Sequence, residues 1–314
     1  MSYPYVGDLV NHIFGVQWYI PIPMFGTFVA TALLVSIYVA KKEVTRFEEL
    51  GILSKARIPS KDQAQQNTVP VHTIISELAV IAAFFGIVGA RIFHILEYPG
   101  QFLNDPMSMI LTQGGFSIYG GLVFGVIAGS VYLKRREVPI IPMLDALAPA
   151  MMLGYGVGRI GCQISGDGDW GIPANMALKP GWLPDWLWAQ TYDNNVLGVV
   201  IQSPGVYPTP LYETVMALLI FGFLWAIRKT PYRAGYMFSM YLLFSGMERL
   251  LIEQIRVNSK YHFVGMSFTQ AELISTILIV LGLVGILKLT KFGYLPKIGI
   301  SLVVLGTLSA CVML

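Results

Sequence analysis

Long apolar stretches alternate with short polar segments along the whole chain. A helix crosses a bilayer with about 20 mostly apolar residues, because each residue adds about 1.5 Å along the axis. Seven stretches have this length, and a shorter eighth lies at the end of the sequence. They cover residues 20–40, 73–96, 115–133, 141–161, 210–227, 234–255, 269–287 and 298–314. The pattern predicts an all-α membrane protein, a single integral membrane domain built as a polytopic bundle of seven or eight transmembrane helices.

The positively charged residues are divided unequally between the polar segments. Of the 21 Lys and Arg residues, 15 lie in alternate loops, at 41–61, 134–136, 228–233 and 288–297. The loops on the opposite side hold three, Lys179, Arg256 and Lys260. Because Lys and Arg are enriched in cytoplasmic loops, the N-terminus is expected to lie outside. Residues 162–209 are then expected to form a small extracytoplasmic head, which its four Trp residues anchor at the membrane interface.

Composition narrows the class of protein further. Only 12% of the residues are charged and 55% are hydrophobic, whereas a soluble domain carries about 25% charged residues. This excludes an ordinary soluble enzyme, a coiled coil and a disordered chain. Cys162 and Cys311 are too few for a disulfide framework, and the net charge of +3 is too small to suggest a nucleic acid partner. No ligand spacing for a metal and no nucleotide motif occurs, so no cofactor is expected.

Several ionisable residues interrupt the apolar segments. Each costs a few kcal/mol in hydrocarbon unless it is paired or hydrated, so such residues indicate either structural ion pairs or a functional site. In the predicted orientation many of them lie towards the outer ends of different helices, at a depth shared with two tyrosines. This group contains Arg91, Arg159, Glu213, Arg249, Glu253, Tyr19 and Tyr119. We predict that they line one polar cavity open to the outer leaflet, whereas Glu77 and Asp145 are equally well explained as structural.

The spacing within residues 245–256 adds detail. Ser245, Arg249, Glu253 and Arg256 share one helical face, so Arg249 is expected to pair with Glu253, and Arg256 to stay near water. Glu248 points elsewhere and is expected to make another contact. We expect Arg159 and Arg249 to meet beneath the outer surface with room left for an anion, since a purely structural scaffold would not need unpaired arginines on separate helices. Their planar, permanently charged guanidinium groups suit a phosphate, and lipid phosphate is the anion available at that depth.

The chain resembles the prolipoprotein diacylglyceryl transferase family in several motifs that occur in the family's order between about residues 15 and 287. The central one is GRIGCQISGD at 158–167. The others are WY at 18–19, GAR at 89–91, GGFSIYGG at 114–121, PLYE at 210–213, RLLIEQIR at 249–256 and MSFTQ at 266–270. The chain departs from the common family pattern at Cys162, where Asn is usual, at Asp167, where Glu is usual, and at Tyr119, where His is frequent.

The resemblance implies that the chain transfers the diacylglyceryl group of phosphatidylglycerol to the thiol of a lipobox cysteine, the first step of lipoprotein maturation. A thioether forms and glycerol phosphate leaves. The implied partners are phosphatidylglycerol, lipobox-containing prolipoprotein signal peptides and membrane lipids. The implied location is the bacterial cytoplasmic (inner) membrane, with the active site facing the outer leaflet. Two alternatives stay open: a catalytically altered relative, and a lipid-binding or transport protein that uses the same arginine-lined cavity.

Residue roles follow from the resemblance as hypotheses. Arg159 and Arg249 are expected to hold the phosphate, with Glu253 orienting Arg249. The further substrate-binding candidates are Arg91, Arg256, Tyr19, Glu213 and Asp167. Tyr119 either deprotonates the thiol or hydrogen-bonds the lipid. A phenol is almost fully protonated near neutral pH and is then a weak base, so the second role is slightly favoured.

Overall fold

The computed structural model describes residues 2–58, 67–111, 117–258, 260–263 and 266–290, and it is mostly helical. The predicted segment 298–314 and part of the motif at 114–121 lie outside these residues. The helices are α1 (Val6–Phe14), α2 (Met24–Glu49), α3 (Ile75–Glu97), α4 (Pro99–Asn104), α5 (Pro106–Leu111), α6 (Ile118–Arg135), α7 (Ile140–Ser165), α8 (Asp185–Trp188), α9 (Thr209–Ile227), α10 (Tyr236–Glu253) and α11 (Gln270–Leu289). Two antiparallel hairpins pair β1 (Ala56–Ile58) with β2 (Asn67–Val69) and β3 (Lys260–Phe263) with β4 (Met266–Thr269).

Each of the seven apolar segments predicted within residues 20–287 forms a helix. Among the described residues, five helices are long and apolar enough to cross a membrane, namely Met24–Glu49, Val71–Glu97, Ile140–Ser165, Thr209–Ile227 and Gln270–Leu289. The other two segments form α6 and α10, which have 18 residues each and are therefore about 27 Å long. The structure thus supports an all-α membrane protein, and the count of seven or eight spans stays a prediction.

The chain divides into two compact units. The first contains the chain up to Ser36 and the chain from Ala148 onward, and within it α10 packs against α9 and α11. Leu224, Met237 and Ile286 are fully or almost fully buried in that packing. Gly282 of α11 allows close approach, since a Cβ atom there would lie only 2.6 Å from a backbone nitrogen of α10. Small residues at such contacts let helices pack closely without a hydrophobic driving force from water.

The second unit contains residues 37–147, and within it α3 packs along α6. The two helices meet at Gly89 and Gly120, where a Cβ atom on Gly120 would lie 2.2 Å from the carbonyl oxygen of Gly89. At the other end of the pair, Glu77 accepts a hydrogen bond from the Tyr132 hydroxyl at 2.6 Å and forms an ion pair with Arg136 at 3.1 Å. The sequence left two interpretations of Glu77, a structural and a functional one. The contacts between α3 and α6 agree with the structural interpretation.

The segment between α7 and α9 is largely irregular and is fixed by side-chain hydrogen bonds to the end of α7. The Gln163 side-chain amide donates to the side-chain oxygen of Gln190 at 2.8 Å, and Oε1 of Gln163 accepts from the Tyr192 hydroxyl at 2.8 Å. The N-terminal residues join this segment, since the backbone N–H of Ser2 donates to the carbonyl of Asp193 at 2.7 Å. The N-terminal residues therefore contact the predicted head at 162–209, and the hydrophobic pattern did not indicate this contact.

The four Trp residues of this segment fall into two pairs. Trp182 and Trp186 are 82% and 59% exposed, as expected of residues that anchor a protein at an interface. Trp170 instead packs against Tyr192, with ring centroids 5.2 Å apart, and the Trp188 indole donates to a backbone carbonyl. Two of the four thus stabilise the segment itself.

Candidate active site

Ionisable side chains from α7, α9 and α10 meet in the first unit around one buried carboxylate. Glu213, fully buried near the start of α9, lies 3.2 Å from Nε of Arg159 and 3.3 Å from Nη1 of Arg249. Its third cation is Arg256, whose Nη1 lies 3.4 Å away. We call the following six residues the arginine cluster: Arg159, Asp169, Glu213, Arg249, Glu253 and Arg256.

Asp169 is the second carboxylate that joins two arginines. Its Oδ2 forms an ion pair with Nη1 of Arg159, and its Oδ1 lies 2.5 Å from Nη2 of Arg256. Burial alone would raise the pKa of Asp169, but Arg159 and Arg256 together hold the pKa below its ordinary value. Asp169 is therefore ionised at neutral pH.

The backbone around Asp169 is held in register with the end of α10. The Thr209 hydroxyl donates to the Asp169 carbonyl at 2.5 Å, and Gly171 pairs with Arg256 in an antiparallel bridge. A Cβ atom on Gly171 would lie 2.5 Å from the carbonyl oxygen of Ile255. Glycine is therefore required at residue 171 for this close approach, which brings Asp169 and Arg256 together.

Arg249 is the most accessible guanidinium of the cluster. Its side chain is 26% exposed, against 11% for Arg159 and 10% for Arg256. Its Nη2 lies 2.9 Å from Glu253, the partner that the i, i+4 spacing predicted. Glu253 also accepts a hydrogen bond from the Asn258 amide at 2.7 Å, so this carboxylate is held on both sides.

Tyr155 and Glu248 extend the cluster on its buried side. The Tyr155 hydroxyl lies 3.2 Å from Oε1 of Glu213 and 3.3 Å from Oε1 of Glu248. The guanidinium carbon of Arg159 lies 5.3 Å from the centroid of the Tyr155 ring, a distance at which the ring face attracts a cation. Glu248 is 3% exposed and makes its contact here, away from Glu253, as its position on the helix indicated.

One prediction about the arginines is wrong, and their carboxylate partners were only partly foreseen. Arg159 and Arg249 each have two such partners. Glu253 was predicted for Arg249, whereas Asp169 and Glu213 supply negative charge from a loop and from another helix. Arg256 was expected to stay near water, but its bridge to Gly171 and its ion pair with Asp169 bury it. The cluster thus contains counter-ions for its own arginines.

The remaining predicted residues of the first unit lie apart from these ion pairs. Asp167 accepts the backbone N–H of Asp169 at 3.3 Å, and burial raises the pKa of Asp167. Tyr19 follows α1 and is 91% exposed. Asp167 therefore occupies the position where the family usually has Glu, but it does not pair with the arginines of the cluster. The carboxylate that pairs with them is Asp169, two residues later.

Arg91 and Tyr119 belong to the second unit. Arg91 donates from Nη1 to the carbonyl oxygen of Met109 at 3.0 Å. Tyr119 lies in the first turn of α6 and is partly exposed.

Three residues that the sequence analysis did not assign to the site belong to it. Tyr155 lies four residues before Arg159, so helical spacing alone could have indicated a shared face. Glu248 was expected to make a contact away from Glu253, but the partner in that contact was not identified. Asp169 follows two loop glycines, and no periodic pattern fixes the direction of such a residue.

One group of potential metal ligands occurs among the described residues. Cys162, Asp167 and Asp169 place their ligand atoms within 4.8 Å of one another. Nη1 of Arg159 lies 3.7 Å from the Cys162 sulfur, and Asp169 is already paired with two arginines. Because these guanidinium groups repel a cation, we assign no metal to the group.

These features define a helical membrane protein with a buried arginine–carboxylate site. The chain belongs to the prolipoprotein diacylglyceryl transferase family, whose sequence model matches residues 12–288, and the family prediction is confirmed.

Known relatives extend the match over most of the chain. A phosphatidylglycerol–prolipoprotein diacylglyceryl transferase of Symbiobacterium thermophilum is 31% identical over 215 residues, 67% of this chain and 75% of the relative. The enzyme of the same name from Shouchella clausii is 30% identical over 70% of this chain and 76% of its own length. That of Bacillus cytotoxicus is 27% identical over 94% and 97% of the two chains.

Proposed function

We propose that the chain transfers the diacylglyceryl group of phosphatidylglycerol to the lipobox cysteine of a prolipoprotein, and that Arg159 and Arg249 bind the lipid phosphate. Family membership and the names of the relatives support the reaction. The observation that supports the site is the meeting of guanidinium groups from α7 and α10 at Glu213. Such a site offers permanent positive charge that no change of pH near neutrality removes.

The reaction requires positive charge near the leaving group. The cysteine sulfur attacks the glyceryl carbon that carries the phosphate, so a C–S bond forms as the C–O bond breaks. The electron pair of that bond passes to the phosphate oxygen, and glycerol phosphate leaves, while the thiol proton is released to a base or to solvent. Fixed donors in a dry site stabilise such developing charge better than water does, because they need no reorganisation.

Arg249 is placed to make the first contact with the phosphate, because it combines the greatest exposure of the three arginines with two carboxylate partners. Glu253 and Glu213 hold its guanidinium group from two sides. Asp169 and Glu213 hold Arg159 in the same way. These carboxylates are therefore positioning residues, and Arg256 supports both Asp169 and Glu213 through its ion pairs with them.

Other predicted residues complete the proposal with less defined roles. Arg91, Tyr19 and Asp167 are proposed to contact the lipid headgroup or the peptide. Tyr119 is proposed to hydrogen-bond the lipid, while the arginines stabilise the thiolate, which is the nucleophilic form of a cysteine.

The proposed location is the bacterial cytoplasmic membrane. Fifteen of the 21 Lys and Arg residues lie in alternate loops, which supports seven or eight spans with the N-terminus outside. In that orientation the head at 162–209 and the arginine cluster face the outer leaflet, where phosphatidylglycerol enters sideways and the signal peptide of a translocated prolipoprotein emerges.

The proposal is tested with the purified protein in vesicles that contain phosphatidylglycerol and a synthetic lipobox peptide. We expect the peptide to gain the mass of one diacylglyceryl group, and Arg159→Ala to lower the rate by about 100-fold or more, as expected when a fixed charge at the leaving group is lost. Folded Arg159→Ala protein with normal turnover would refute the phosphate assignment. Lipid movement across the bilayer without any peptide product would favour the transport alternative.

A further inference from the structure

The Tyr155 hydroxyl lies between two carboxyl groups but has only one proton to donate. It is within hydrogen-bond distance of Glu213 and of Glu248, at 3.2 and 3.3 Å. A hydroxyl group donates one hydrogen bond and otherwise accepts. If both carboxyl groups were ionised, one of them would face the lone pairs of the phenol oxygen. One of the two acids must therefore carry a proton for both contacts to be favourable.

The surroundings of the two acids decide which one is protonated. Glu213 lies within 3.4 Å of guanidinium nitrogens of three arginines, which stabilise its ionised form. Glu248 is 3% exposed and forms no ion pair with any residue that the structure describes. An ionised carboxylate without a cation partner is costly to bury and instead takes up a proton.

We infer that Glu248 is protonated in the resting protein and donates a hydrogen bond to Tyr155, which in turn donates to the ionised Glu213. Glu248 and Tyr155 are then positioning residues: Tyr155 holds Oε1 of Glu213, the oxygen that Arg249 and Arg256 also contact. The chain of hydrogen bonds runs from α10 through α7 to α9, and it links the three helices that carry Arg249, Arg159 and Glu213.

The protonated state of Glu248 also sets the charge of the site, a consequence that depends on the proposed phosphate binding. Three arginines face the three carboxylates Asp169, Glu213 and Glu253 in the arginine cluster, so their formal charges balance. An ionised Glu248 would add a fourth negative charge to this balanced set. That charge would repel the lipid phosphate.

Infrared difference spectroscopy tests the protonation directly. The protein is measured in a detergent without ester groups, and the carbonyl stretch of a protonated carboxylic acid is identified by its shift in heavy water. We expect Glu248→Gln to remove one such band and Glu253→Gln, the matched buried acid on the same helix, to leave that band in place. A spectrum that Glu248→Gln does not change would overturn the inference.

Turnover of the lipobox peptide tests the positioning role. We expect Glu248→Ala to lower kcat/KM by about tenfold, the size expected when a buried hydrogen-bond partner is lost. Glu248→Gln should recover most of that loss, since its amide group donates to Tyr155 as the protonated acid does. An equal loss in the Ala and Gln variants would mean that Glu248 acts through its negative charge, contrary to the inference.

The two tests separate this inference from the proposed function. The infrared band reports on Glu248 whether or not the arginines bind phosphate. A band that depends on Glu248 in a protein whose Arg159→Ala variant is fully active would retain the protonation and reject the phosphate site. Loss of activity in Arg159→Ala, in a protein without a band that depends on Glu248, would retain the phosphate site and reject the protonation.

Discussion

Two groups of ionisable residues bridge helices in this protein, and they differ in burial. In the second unit, Glu77 of α3 pairs with Tyr132 and Arg136 at the end of α6, and the Glu77 side chain is 52% exposed. In the first unit, Glu213 is fully buried and contacts three arginines. The same residue types therefore form an exposed contact between two helices in the second unit and a buried charge network in the first unit.

The difference shows which intramembrane charges indicate a site. Exposed ion pairs contribute between 0 and about 1 kcal/mol. The Glu77 carboxylate is screened by water in this way, although its partner Arg136 is only 13% exposed. A buried network pays a large desolvation cost, and it is a poor way to gain stability compared with apolar packing. The burial of the arginine cluster therefore supports the proposed function better than it supports a role in stability.

Removal of the central charge should produce the largest difference between the two regions. Glu213→Gln leaves three guanidinium groups facing a neutral amide, and we expect the free energy of unfolding to fall by about 3–5 kcal/mol, the range for breaking a buried ion pair. Thermal unfolding of the purified protein in detergent measures the loss.

The matched control for that variant is Glu77→Gln in the exposed group. We expect it to change the free energy of unfolding by less than about 1 kcal/mol and to leave the transfer rate within twofold of the unsubstituted protein. Equal destabilisation by the two variants would remove the distinction between the regions.

A smaller effect is expected at Asp167, which lies beside the arginine cluster without pairing to it. Burial raises the pKa of Asp167, so the folded protein binds its proton more tightly than the unfolded chain does. The stability from this proton is complete below the ordinary carboxyl range and is lost as pH rises through the raised pKa.

Asp167→Asn should therefore increase the melting temperature near neutral pH, and the gain should shrink as the pH is lowered towards the ordinary carboxyl range. Melting curves at the two pH values measure this. A variant that is less stable than the unsubstituted protein at neutral pH would show that the hydrogen bond from the Asp169 N–H to the ionised Asp167 outweighs the cost of burial.

The lengths of the apolar segments and the charged residues between them predicted the helices well, because both are local properties of the sequence. The segment predicted at 210–227 forms α9 at Thr209–Ile227, and that predicted at 269–287 forms α11 at Gln270–Leu289. Thr269 and Glu272 cap α11 reciprocally, which fixes its first residue.

The partners of the arginines could be predicted only where they lie on the same helix. The pair between Arg249 and Glu253 follows from a spacing of four residues. Asp169 reaches Arg159 and Arg256 through a loop whose position depends on the close approach at Gly171. Such long-range backbone contacts leave no periodic signal, so the carboxylate partners of Arg159 and Arg256 could not be predicted.

The most direct measurement of the central claim is the binding of phosphatidylglycerol to the protein without any reaction. Native mass spectrometry of the protein in detergent, with equal amounts of phosphatidylglycerol and phosphatidylcholine, counts the lipids that stay bound. We expect the unsubstituted protein and Arg136→Ala to retain phosphatidylglycerol preferentially, and Arg249→Ala to lose that preference. Undiminished preferential binding by folded Arg249→Ala protein would contradict the proposal that this guanidinium group holds the phosphate.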